Sequence, residues 1–149
     1  FILGGNVGVA TDSATDTATL RKISLTGGSV VTGYGLTLTT FEQFAGAAST
    51  LRLAATLTTL TIESGSLIHE GTAAVTTANV RGGTLASNST GTIATLNMTG
   101  GTTDMSKSAQ ARTVTNATLD PGAQISYDPA VVTLTNKVTS SRRVTLAAA

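Results

Sequence analysis

Eight carboxylates and one imidazole are the obvious candidates for acid–base or metal chemistry in this sequence: Asp12, Asp16, Glu42, Glu63, Glu70, Asp104, Asp120, Asp128 and His69. With no cysteine there is no thiolate nucleophile, no disulfide framework and no thiolate metal site. Two carboxylates facing each other across a cleft would make a glycoside-cleaving pair. His69 adjoins Glu70 but has no second histidine at metal-ligand spacing and no nearby nucleophile, so a surface-loop position is expected for it. Asp12 and Asp16, in "TDSATDTATL", lack the glycine and terminal glutamate of a calcium loop and read as part of a polar linker. Asp104, Asp120 and Asp128 suit turns, above all in "DPG" at Asp120 and "DP" at Asp128.

Whether any acids converge depends on the elements that carry them. "VTTANVRGG" from Val75 and "IATLNMTGG" from Ile93 write the same apolar and polar phrase twice. Aligning that phrase gives six copies, beginning at Leu20, Leu38, Leu57, Val75, Ile93 and Val114, at spacings of 18 to 21 residues. Three residues on come Ile23, Phe41, Leu60, Ala78, Leu96 and Ala117; five on come Leu25, Gln43, Ile62, Val80, Met98 and Leu119. Eight on stands a glycine in every copy: Gly28, Gly46, Gly65, Gly83, Gly101 and Gly122. A glycine at fixed phase marks a backbone corner that needs positive φ or close packing. Two residues past it, Val30, Ala48, Leu67, Leu85, Thr103 and Gln124 open a second, shorter strand.

Each copy is therefore one coil, which cannot bury its apolar side alone and must stack on its neighbours. The fold class is all-β: a single-domain parallel β-helix of about six 18–21-residue coils with Gly corners, right-handed by preference. A hairpin meander would need two alternating turn types at shorter intervals. A left-handed hexapeptide helix would need an apolar residue every six positions. Thr26, Phe44, Glu63, Arg81, Thr99 and Asp120 fill that column instead, although Ile62, Ile68, Ala74, Val80 and Ala86 fit it locally. The expected division is an N-terminal arm or partial coil over 1–17, coils over 18–130, and a C-terminal cap and tail over 131–149. Ile2 and Val7 are read in phase with Leu20, while Val131 and Leu134 keep part of the pattern. "MSKSAQAR", in the longest spacing, should bulge from the stack.

On this map no two acids meet. Glu63 and Asp120 share a column but lie three coils apart, roughly 14 Å by the strand spacing. Arg81 follows Glu63 in that column, so a cross-strand ion pair is expected. No catalytic, cofactor-binding or metal-binding residue is assigned, and the chain is read as non-enzymatic.

Composition agrees with a β rod. Charged residues make up 11%, against about 25% in an ordinary domain, and Thr, Ser, Asn and Gly cover the surface instead. β-Branched Thr favours strands over helices. A formal net charge of +1 gives no electrostatic footprint for nucleic acid, and no apolar run is long enough for a membrane helix. "FILGG" has neither the basic region nor the apolar core of a secretion signal. Without an initiator Met, the chain reads as part of something longer. Two outward columns, Lys22, Thr40, Thr59, Thr77, Thr95, Asn116 and Ser24, Glu42, Thr61, Asn79, Asn97, Thr118, would form flat hydroxyl and amide ladders. Such ladders resemble ice-binding faces, and a glycan could also lie there, though few aromatics are available to stack on sugars. Candidate partner contacts are the apolar start, Phe1, Ile2 and Leu3, and Phe44. Phe44 either faces outward or, by a register shift, replaces Gln43 inside.

The stretch "TIATLNMTGGTTDMSKSAQARTVTNATLDPGAQISYDPAVVTLTN", from Thr92 to Asn136, resembles the repeat-built β-helices of tailed bacteriophages, which serve as capsid decorations, head fibres and tail spikes. The resemblance implies life on a virion surface or outside cells. Its implied partners are other shell proteins, with homo-oligomerisation, for which a trimer is one arrangement. It implies no cofactor and brings no catalytic residues. The expected function is that of a structural virion protein. An adhesin recognising a surface glycan is the alternative, and a glycan-cleaving spike comes third.

Overall fold

A computed structural model of the chain describes residues 2–3, 6–9, 17–46, 48–107, 110–139 and 146–148. Its strands, numbered along the chain, form two parallel eight-stranded sheets. The first sheet contains β1 (Ile2–Leu3), β3 (Ala18–Leu25), β5 (Leu36–Gln43), β7 (Leu57–Ile62), β9 (Val75–Val80), β11 (Ile93–Met98), β13 (Arg112–Leu119) and β15 (Val132–Thr139). The second contains β2 (Asn6–Val9), β4 (Ser29–Thr32), β6 (Ala48–Leu53), β8 (Ser66–Gly71), β10 (Thr84–Ser87), β12 (Thr102–Met105), β14 (Gln124–Tyr127) and β16 (Leu146–Ala148). Odd and even strands alternate along the chain, and each pairs with the strand two places on. The molecule is a parallel β-solenoid, with a strand pair added at either end of the six repeat copies.

Repeat phase and sheet register coincide. Leu57 pairs with Val75, Val75 with Ile93 and Ile93 with Val114. Ile23, Phe41, Leu60, Ala78, Leu96 and Ala117 are at most 2% exposed and run down the interior as one column. Burying each large aliphatic or aromatic side chain contributes about 1.5–3 kcal/mol, so the stack outweighs the cost of holding any one coil. The six column glycines all take positive φ, from 68° at Gly83 to 129° at Gly46. At Gly83 a second constraint applies, because a Cβ there would collide with the carbonyl oxygen of Gly65 in the preceding coil.

Gln43 is fully buried in its inner column, donating from Nε2 to the carbonyl oxygens of Ser64 at 3.2 Å and Ser66 at 3.4 Å. Phe44 is 45% exposed, so the register shift that would have brought it inside does not occur. Other expectations need correction. Ala48 and Gln124 open β6 and β14 as expected, but they face outward, and the inner positions belong to Ser49 and Ile125. Those two corners hold one residue more than the corners before Leu67, Leu85 and Thr103, which shifts the strand phase by one. Ile2 pairs with Ser24, and Leu3 shares the column of Leu25, so the first strand is not in phase with Leu20. Val7 pairs with Val30 in the second sheet. Ile68 and Ala86 sit between inward neighbours on the outer side, so the six-residue frame does not line the interior.

At the other end, Val114 pairs with Leu134 and Ala117 with Lys137. Lys137 thus holds the register of the apolar column on the last strand of the first sheet, where it is exposed. A charge at an inward phase discourages another apolar coil from stacking there.

Candidate functional site

The coils carry the acidic residues to separate places. Glu42, on the outer side of β5, accepts from Ser24 Oγ at 3.2 Å and lies 2.8 Å from Lys22 Nζ. Glu63 and Arg81 follow one another in the corner stack and form the expected ion pair at 2.6 Å. Glu70 pairs with Arg52 of the strand before, at 3.0 Å. Asp104 Oδ1 accepts from the backbone N–H and the hydroxyl of Ser106, at 2.9 and 2.6 Å. Partial burial pushes the Asp104 carboxyl up, but those two bonds, with Lys107 and Arg112 nearby, outweigh it and hold the group below its usual range. Asp120 closes its turn through the backbone, its carbonyl accepting from the Ala123 N–H at 3.1 Å. Asp128 Oδ1 accepts from the Ala130 N–H at 2.9 Å. Asp12 and Asp16 lie outside the described residues.

These acids are therefore tied into cross-coil pairs and turns rather than gathered in a cleft. Among the described residues no group of three or more His, Cys, Asp or Glu side chains is placed to hold a metal ion. No helix of the described residues is long and apolar enough to cross a membrane.

His69 is the largest departure from the sequence reading. It is not in a surface loop but on β8 facing inward, 1% exposed, between Leu51 and Ser87. Strand alternation decides this: Leu67 faces in, Ile68 out, His69 in, Glu70 out. Arg112, the last residue of "MSKSAQAR", is also buried. Its Nη1 donates to the Ser87 carbonyl oxygen at 2.5 Å, and its Nη2 donates to that of Met105. The only hint in the sequence was a basic residue two places before the apolar position Val114, where the coil of Leu38 has Leu36 and that of Val75 has Ala73.

The outer side of the first sheet carries the ladders. Thr40, Thr59, Thr77 and Thr95 are register partners on consecutive strands. Asn97 Nδ2 donates to Asn79 Oδ1 at 3.1 Å, and Asn136 Nδ2 to Asn116 Oδ1 at 3.0 Å. From β7 to β13 these two columns hold no charged residue. Of the candidate contacts, Phe44 is exposed at a corner. Ile2 and Leu3 place their backbone in the first sheet, and Phe1 lies outside the described residues.

The fold and this surface define a two-sheet parallel β-solenoid with an uncharged hydroxyl and amide face. Comparison with known proteins finds no matching family model, no similar curated protein and no similar solved structure.

Proposed function

We propose that the chain is a non-enzymatic structural component of a virion, a capsid decoration or fibre module carried on the particle surface. The observation that supports this best is the unbroken stacking of both sheets, in which every described strand belongs to the rod. The acids of the coils serve the same end, since Glu42, Glu63 and Glu70 each tie one coil to the next. Further copies of the chain and other shell proteins would be its partners, with Phe44 as one exposed contact. Mass measurement and imaging of the native particle test this directly. Many copies ordered on an icosahedral or helical shell are expected; a free monomer or an isolated trimer would count against it.

An adhesin that recognises a surface glycan is the second reading, supported by the uncharged ladder of Thr59, Thr77 and Thr95. On a glycan array it requires reproducible binding that is lost when these three residues are replaced together by alanine. No binding, or binding unchanged by the substitutions, would remove it.

A further inference from the structure

Among the buried described residues, only His69 and Arg112 carry ionisable side chains. They are near neighbours: Ser87 is the register partner of His69, and its carbonyl oxygen accepts from Arg112 Nη1. Nη1 also reaches the Ser89 carbonyl oxygen at 3.4 Å, while Nη2 binds that of Met105. Among the described residues, neither His69 Nε2 nor Arg112 Nε has a hydrogen-bond partner. Among the described residues, the elements around the pair bring no carboxylate inside. β6 presents Leu51 inward and Arg52 outward, β8 turns Glu70 outward against Arg52, and β10 presents Ser87 inward. β12 turns Asp104 outward, where it acts on Arg112 across the strand and lies 4.0 Å from Lys107.

We propose that His69 and Arg112 form an acid-sensitive lock: the interior holds one buried cation on carbonyl oxygens and tolerates no second, so proton uptake by His69 drives Arg112 off its acceptors and loosens the entry to β13. A charge without a counter-ion in a closed interior is costly, and two like charges there cost more. Burial, and then the guanidinium of Arg112, lower the His69 imidazole from 6.5 to about 4. The unfolded chain therefore takes up this proton first as pH falls. The stability that rests on neutral His69 is complete above about 6.5 and is lost progressively down to about 4. This lock is independent of the proposed virion role.

The test compares thermal midpoints of the whole chain at pH 7.5 and pH 5 for the native sequence and for His69→Gln, which stays neutral at both. The native chain should lose about 4–8 °C more than the variant between the two conditions. Equal losses would overturn the proposal. An NMR titration of the native chain keeps the test open should the variant not fold. His69 should remain neutral well below its ordinary range, and the Arg112 Nε–H signal should change with the same midpoint. A His69 midpoint near the ordinary value, or an Arg112 signal indifferent to it, would contradict the lock.

Discussion

The first sheet lines the interior with Ile23, Phe41, Leu60, Ala78, Leu96 and Ala117, whereas the second lines it with Thr32, Ser49, His69, Ser87 and Thr103 among its apolar residues. Both face the same interior, yet their polar content differs because their backbones differ. In the first sheet the strands pair along most of their length and the inner side chains serve mainly as volume, with Gln43 and Arg112 as the polar exceptions that donate to carbonyl oxygens. In the second, β4 and β6 pair only at Val31 and Thr50, and hydroxyls supply what the ladder leaves out. The Val30 N–H donates to Ser49 Oγ at 3.2 Å, and the Arg52 N–H to Thr32 Oγ1 at 2.9 Å. Further along, Ser87 and Met105 lend their carbonyl oxygens to Arg112. One wall of the rod is mainly a packing surface, and the other adds hydroxyls that stitch its backbone.

Substitutions can separate the two walls. Phe41→Ala empties the largest fully buried side chain of the first sheet and should cost about 3–5 kcal/mol in chemical denaturation. A loss under 1 kcal/mol would mean that the inner column does not carry the fold. The corners come next. Gly122→Ala should cost about 1–2 kcal/mol, from the left-handed backbone alone, since among the described residues nothing beyond its chain neighbours stands within 4 Å of a Cβ there. Gly83→Ala should cost more, because its Cβ would also meet the Gly65 carbonyl oxygen. Equal losses at the two corners would break the assignment of close coil packing at Gly83.

Ser49→Ala addresses the stitching in the second sheet. It removes the acceptor of the buried Val30 N–H and should cost about 1–3 kcal/mol despite deleting only one oxygen. A neutral result would show that the hydroxyl is dispensable. The smallest effect belongs to the outer surface. Glu63→Gln breaks the corner ion pair with Arg81, whose side chain is 56% exposed, and should cost well under 1 kcal/mol. The loss should shrink further in high salt; a salt-independent loss above 1 kcal/mol would call for a buried role.

The same contrast explains how much was legible beforehand. Leu20, Leu38, Leu57, Val75, Ile93 and Val114 announce the coils because an inner column of the first sheet is apolar throughout. Even the Glu63–Arg81 pair follows from the column position. The second sheet does not announce itself. Ser49 and Thr103 are polar inside, Ile68 is apolar outside, and the extra residue in two corners moves the phase by one. His69 looked like a loop residue because its inward direction depends on counting strand alternation from Leu67 rather than on any property of histidine. Arg112 closes a polar stretch that lengthens the 18-residue repeat, yet its guanidinium is buried and binds carbonyl oxygens that no sequence pattern displays.

The parallel register underlies all of this, and the absence of native cysteine makes it directly testable. Thr59 and Thr77 are partners on adjacent strands and face the same way, so replacing both with cysteine brings two Cα atoms to about 4.8 Å, within disulfide range. Mild oxidation should give an intramolecular cross-link. Cysteines at Thr59 and Thr95, two strands apart at about 9.6 Å, should give none. A cross-link in the second pair but not the first, or in neither, would contradict the stacked-coil structure.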